Sequence, residues 1–194
     1  MVCLSIIGNY LFASAQVNEV LVRRAVFDTL NYYAQLPTVE RTGRNDHWAI
    51  HRFTKKQKGI AGRPWCSDFQ LYGYHSNFLF IPGVNGTAYS WRKNKRLVFW
   101  PAMLKDMDRV KRSVRMMDMI VFSFSHVEGF IELDPRGLGV YSIGGNTKGG
   151  RNREGAYYPI FRRWSFIPSI YDHITPYVAA HGLELVTKKP PWKL

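Results

Sequence analysis

Cys66 sits inside GRPWCSDF, residues 62 to 69. Pro64 and Trp65 lead into a helix that starts at the cysteine, and Ser67 and Asp68 suit its first turn. A thiol there lies beside backbone N–H groups that have no intrahelical partner, at the positive end of the helix, and both features stabilise thiolate. A thiolate can attack a carbonyl carbon if a histidine moves the proton and a third polar group holds the imidazole. The chain has six histidines. His47 and His51 fall on an expected second helix, His75 within the Cys66 helix, and His173 and His181 near the C-terminus. His126 opens a strand directly after another strand, where it can face a helix terminus. Asn146, in SIGGNT, ends the next strand and offers an amide to orient the ring. Against this stand two plainer roles: Cys66 as a small buried hydrophobe, and His126 as a structural residue at a strand end.

Four helices and four strands must position these groups. Residues 17 to 34 read as a helix, with Val17, Val20, Leu21, Ala25, Leu30 and Tyr33 at roughly helical spacing and Arg23, Arg24 and Asp28 between them. Residues 46 to 57 read as a second helix with Asp46 as cap, and Gly59 and Gly62 break the chain after it. A third helix runs from Cys66 to about Phe78. Residues 81 to 101 read as loop, and 102 to 115 include a short basic amphipathic helix. Strands are expected at 118 to 124, 126 to 133, 139 to 146 and 157 to 164, with DPRG at 134 to 137 as a turn. Helices first and strands afterwards predict an α+β fold with an antiparallel sheet.

The 194 residues suffice for one domain, and 46% hydrophobic residues mark a globular chain. No stretch approaches the roughly 20 apolar residues of a membrane span. Twenty-seven Lys and Arg against 14 Asp and Glu give a net charge of +13, which favours an anionic partner. The basic residues form short clusters: Arg92, Lys93, Lys95 and Arg96; Lys105, Arg109, Lys111, Arg112 and Arg115; Arg151 and Arg153; Arg162 and Arg163. No named nucleic-acid module is readable, so specific nucleic-acid recognition is not expected. Cys3 and Cys66 make neither a disulfide framework nor a zinc motif. No metal or organic cofactor is implied.

Residues 1 to 16 form an N-terminal segment ending in Ala13-Ser14-Ala15, a pattern resembling a signal-peptidase site. A leading positive charge is missing, and Gly8, Asn9 and Tyr10 interrupt the apolar stretch. The alternative is an ordinary segment packing on the domain. The single domain is expected over residues 17 to 180, followed by a basic tail at 181 to 194.

PWCSDF, then DMIVFSFSHVEGFIE, then YSIGGNTKGG resembles the CHAP group of cysteine amidohydrolases, within the NlpC-type, papain-like class of cell-wall hydrolases. The resemblance covers roughly residues 17 to 178. It implies a papain-like fold, with a nucleophile at a helix start packed on an antiparallel sheet. Cys66 becomes the nucleophile, His126 the base and acid, and Asn146 the group orienting His126. The implied reaction is cleavage of a peptidoglycan amide, by an amidase or endopeptidase, through a thioester. Three departures stand out. The acidic residue of the family's E-G-N is Gly144, the glycine before D-I-V is Met117, and the glycine after H-V is Glu128. Glu128 shares a sheet face with His126. It could tune the imidazole, line the cleft or mark a bulge. Further cleft candidates are Trp65, Asp68, Tyr89, Trp91 and Tyr141.

The resemblance also implies secretion or delivery to the cell-wall compartment, as a housekeeping wall enzyme, an antibacterial effector or a phage lysin. An immunity protein, virion or secretion-machine partner would accompany some of these. Two other readings stay open. One is a non-enzymatic CHAP-like scaffold or virion component that binds an anionic partner. The other is a nucleic-acid-binding module, supported by charge and scattered aromatics.

Overall fold

The computed structural model of the chain describes residues 3–56 and 63–181. Gly59, Gly62 and the tail from 182 onward lie outside the described residues. Among the described residues there are five α-helices and a six-stranded sheet, an α+β arrangement. No described helix is long and apolar enough to cross a membrane.

Helix α1, Cys3–Gln35, runs through both the N-terminal segment and the first expected helix. Its buried stripe is Val22, Val26, Phe27, Leu30 and Tyr33, whereas Val20 and Leu21 are exposed. The expected face is therefore rotated, and the cause is Arg23. Its guanidinium is buried and donates to Asp118 at 2.7 Å, Asp172 at 2.8 Å and the Met116 carbonyl at 2.6 Å. These charge-assisted bonds turn a cation inward where periodicity places it on the surface.

Helix α2, Trp48–Lys56, buries Ala49, Ile50 and Phe53 and leaves Trp48 exposed. Asp46 does not cap it. Its carboxylate accepts from the Arg41 and Thr42 N–H groups and closes the preceding loop. Helix α3, Cys66–Ser76, is almost wholly buried. It crosses α1 so closely that a Cβ at Gly73 would lie 2.7 Å from Leu30.

The sheet order is β1-β6-β2-β3-β4-β5, with every pairing antiparallel. Its strands are β1 Leu97–Phe99, β2 Met119–Val121, β3 Val127–Leu133, β4 Gly139–Thr147, β5 Gly155–Arg163 and β6 Ile170–Tyr171. Alternate residues face opposite sides. Met119, Val121, Val127 and Ile143 pack with α1, α2 and α3. Ile120, Phe122, Phe130 and Val140 pack with Phe99, Trp164 and Val110 of the short helix α4, Met107–Ser113. Two polar bonds fasten α3 to the strand side. Gln70 Nε2 donates to the Ile143 carbonyl at 3.0 Å, and the Tyr74 hydroxyl donates to the Met117 carbonyl at 2.8 Å. A last helix, α5 Ile174–His181, packs on α1.

Candidate active site

Cys66 is the first residue of α3. Trp65 precedes the helix and supplies no side-chain cap to the N–H groups of the first turn. The Trp65 N–H itself donates to Asn146 Oδ1 at 2.6 Å. Asn146 reaches this position from β4 in a left-handed conformation, φ 54°, which Asn tolerates better than most residues. Its Nδ2 donates to Glu154 Oε2 at 3.0 Å. Both functions of the amide are thereby occupied.

His126 closes the turn between β2 and β3. Its carbonyl accepts from the Phe122 N–H at 2.9 Å, and Ser125 adopts φ 57° within the turn. Its Nε2 lies 3.0 Å from Glu128 Oε1. The Cys66 side chain lies close enough to the imidazole to raise its pKa. The third group expected from the sequence is thus replaced. No hydrogen bond joins Asn146 to His126 among the described residues. Glu128 orients the ring, and Asn146 instead anchors the backbone just before the thiol.

Glu128 is fully buried and held from two further directions. Ser142 Oγ donates to its Oε2 at 2.6 Å. Arg162 forks onto the carboxylate, Nε to Oε2 at 2.9 Å and Nη2 to Oε1. Arg162 Nη2 also donates to Thr147 Oγ1 at 3.1 Å. Burial alone would push the Glu128 carboxyl up, but Arg162 and His126 outweigh it and hold its pKa down to about 2. Burial likewise opposes charge on His126. Hydrogen bonds and charge from Cys66 and Glu128 overcome this and raise its pKa to about 9. The imidazole is thereby biased toward its charged form, with the Glu128 carboxylate on one nitrogen and Cys66 nearby. That is the arrangement of a thiol nucleophile with its proton carrier.

The remaining expected site residues divide sharply. Tyr89 is 46% exposed beside the His126 turn, and its hydroxyl donates to the Ser123 carbonyl. Trp65 is fully buried, with its indole N–H on Glu40 Oε1 at 2.9 Å and its ring against Phe53 and Phe69. Trp91 is equally buried, because its indole N–H is satisfied by Ser67 Oγ and its ring packs on Tyr74. Neither lines an open cleft. Tyr141 lies against Phe161, roughly 17 Å of strand from Asn146. Glu128 supports the imidazole rather than lining a surface. Asp68 is also buried, and its oxygens accept no hydrogen bond. Burial raises its pKa to about 6 although Arg63 Nη2 stands 3.5 Å away.

Three site residues escaped sequence reasoning. Arg162 and Ser142 carry a readable signal, since each lies on a strand at the period that faces Glu128. Phe124 carries none. It is 61% exposed, with its ring nearly parallel to that of His126, 12° between planes and 5.9 Å between centroids. Among the described residues no cluster of His, Cys, Asp and Glu is arranged to hold a metal ion.

No family model, curated protein or solved structure matches the chain.

Proposed function

We infer that the chain is a cysteine amidohydrolase of papain-like, CHAP type that cleaves an amide of the peptidoglycan stem peptide, or the amide joining stem to sugar. The single observation that carries the reading is the His126–Glu128 bond beside Cys66, the first residue of a helix whose N-cap side chain makes no hydrogen bond to it. The wall as substrate rests on the motif resemblance and on the +13 charge, which suits an anionic surface.

Cys66 Sγ attacks the carbonyl carbon, and the carbonyl oxygen takes up the negative charge. N–H groups of the first turn of α3 stabilise that oxyanion. His126 passes its proton to the leaving nitrogen as the C–N bond breaks, leaving a thioester. His126 then accepts a proton from water, whose oxygen attacks the thioester, and Cys66 departs as thiolate. Glu128, ionised and locked by Arg162 and Ser142, stabilises the imidazolium at each stage. Asn146 keeps the chain entering α3 in place.

A non-enzymatic scaffold is the second reading. It is favoured by the small exposure of the reacting groups, 4% for Cys66 and 8% for His126. Digestion of purified peptidoglycan by wild type, Cys66→Ala and His126→Ala decides between the two, with products read by mass spectrometry. Soluble fragments from wild type alone support the hydrolase, and their masses name the bond. Absence of fragments from all three folded proteins favours the scaffold.

A further inference from the structure

Tyr89, Trp91 and Arg92 touch both halves of the candidate site. Trp91 donates to Ser67, the residue after Cys66. Tyr89 donates to the Ser123 carbonyl at 2.8 Å and Arg92 Nη2 to the Phe122 carbonyl at 3.1 Å, both on the turn that delivers His126. Beyond Arg92 the chain lines a hollow with Lys93, Lys95 and Arg96, walled by Pro82 and His173. No carboxylate lines this hollow. Arg92 and Lys93 spend their hydrogen bonds on carbonyl oxygens, Phe122 and Gly83. Among the described residues none of the four cations forms an ion pair, in contrast to Arg23 and Arg162. His173 adds no charge, since burial holds it down at about 4 despite its bond to the Trp91 carbonyl.

Cations this close in sequence repel one another within the screening length of about 8 Å at physiological salt. An anion entering the hollow relieves that repulsion. Guanidinium forks and ammonium groups together match a carboxylate or phosphate oxyanion. We propose that this hollow is a subsite for an oxyanion of the wall substrate, held while the scissile amide lies over Cys66. The inference rests on the wall-hydrolase reading for its substrate. It identifies the substrate by a negative group on one side of the cut. That group is either a free carboxylate of the stem peptide or a phosphodiester of a polymer attached to the wall.

The test separates binding from cleavage. Cys66→Ala protein, folded by circular dichroism, is titrated with soluble stem-peptide fragments bearing free carboxylates and with the same fragments amidated. In parallel it is sedimented with wall sacculi before and after removal of phosphodiester polymers. The same measurements are made after adding Arg92→Gln, Lys93→Gln, Lys95→Gln and Arg96→Gln, and separately with the exposed pair Lys95→Glu and Arg96→Glu. A loss of roughly tenfold or more in affinity is expected for one anionic probe, from removal of charge-assisted hydrogen bonds. Loss confined to the carboxylate peptide identifies the stem peptide as source. Loss confined to phosphodiester-bearing sacculi identifies the attached polymer. In the Cys66-intact background, the Lys95→Glu and Arg96→Glu pair raises KM and leaves kcat near wild type. Unchanged affinity for both probes in both variants overturns the subsite. So does a loss seen only with a DNA oligonucleotide, which marks a nucleic-acid surface. If wild type cleaves no wall yet the anion binding disappears with the cations, the hydrolase reading fails while the anion site stands.

Discussion

The Glu128 carboxylate occupies the space that a side chain at Gly144 would fill. A Cβ at 144 would lie 2.8 Å from Glu128 Cγ and 2.9 Å from Oε1. Gly129 pairs with Ile143, so these two residues stand opposite each other one step along β3 and β4. Against the CHAP pattern that the motifs resemble, the acid missing at 144 and the extra acid at 128 thus fall in the same space, and compensation between them is the expectation to test. Gly144→Ala is expected to push Glu128 off His126 and lower kcat, and Glu128→Gly to lower it further. Glu128→Gly combined with Gly144→Glu is expected to recover part of the loss. Steady-state kinetics on peptidoglycan fragments measures the non-additivity, and a double variant no better than Glu128→Gly would remove the idea of compensation.

The His126 pKa, raised to about 9, sets a basic limb. Activity is expected to fall as pH passes about 9 and the imidazolium loses its proton. Glu128→Gln removes a raising influence and leaves Arg162 facing the ring, so the limb moves to lower pH. Stability follows the same linkage. The His126 charge stabilises the fold fully below the ordinary value of 6.5, and that contribution fades as pH rises through about 9. The Glu128 charge contributes above its ordinary value of 4.5, and that contribution is lost as pH falls toward about 2. A kcat/KM profile and a denaturation series across pH check both signs.

Asn146 anchors Trp65 and leaves His126 to Glu128. Asn146→Gly keeps the left-handed backbone accessible and deletes the amide. Its kcat is expected to drop roughly tenfold as the first turn of α3 loosens, in keeping with loss of a buried hydrogen bond of ~1–1.5 kcal/mol. The basic limb of the pH profile should not move. A shifted limb would return the ring-orienting role to Asn146.

Asp68 makes the opposite linkage from most carboxylates. Burial raises its pKa to about 6, so its ionisation works against the folded state as pH rises. Asp68→Asn is expected to raise Tm by a few degrees at pH 8 and to change it little at pH 4. Thermal unfolding at the two pH values tests this, and a lower Tm at pH 8 would show that the Arg63 attraction dominates.

Arg23 joins α1 to the residues that precede β2 and follow β6. Arg23→Met leaves Asp118 and Asp172 buried without their cation and is expected to cost about 3–5 kcal/mol. Denaturant unfolding measures the loss. Arg24→Met, at an exposed pair with Asp28, serves as the control and should change stability by less than about 1 kcal/mol.

Much of the site was legible because its signals are local. The PWCSDF frame marks a helix start, and period two puts Glu128 on the side of His126. Four strands could be read from apolar runs bounded by turns. What escaped depends on distant partners. Asn146 bonds a backbone N–H 81 positions away, and Arg23 faces inward because of acids more than 90 positions away. Neither choice has a local correlate. Trp65 and Trp91 read as possible cleft aromatics until the partners of their indole N–H groups are known. Strands β1 and β6 are three and two residues long, too short for alternation to register.

The thiol and its base are carried by different layers. Cys66 belongs to the helical layer, whereas His126, Glu128, Ser142 and Arg162 come from the strands and the turn between β2 and β3. The imidazole half is held within the strand layer by the Glu128 bonds to His126, Ser142 and Arg162. Contact between the layers is set by how α3 seats on the sheet, through Gln70 on Ile143 and Tyr74 on Met117. The meeting of thiol and imidazole is therefore a matter of tertiary packing, held by Gln70 and Tyr74, neither of which is a reacting residue.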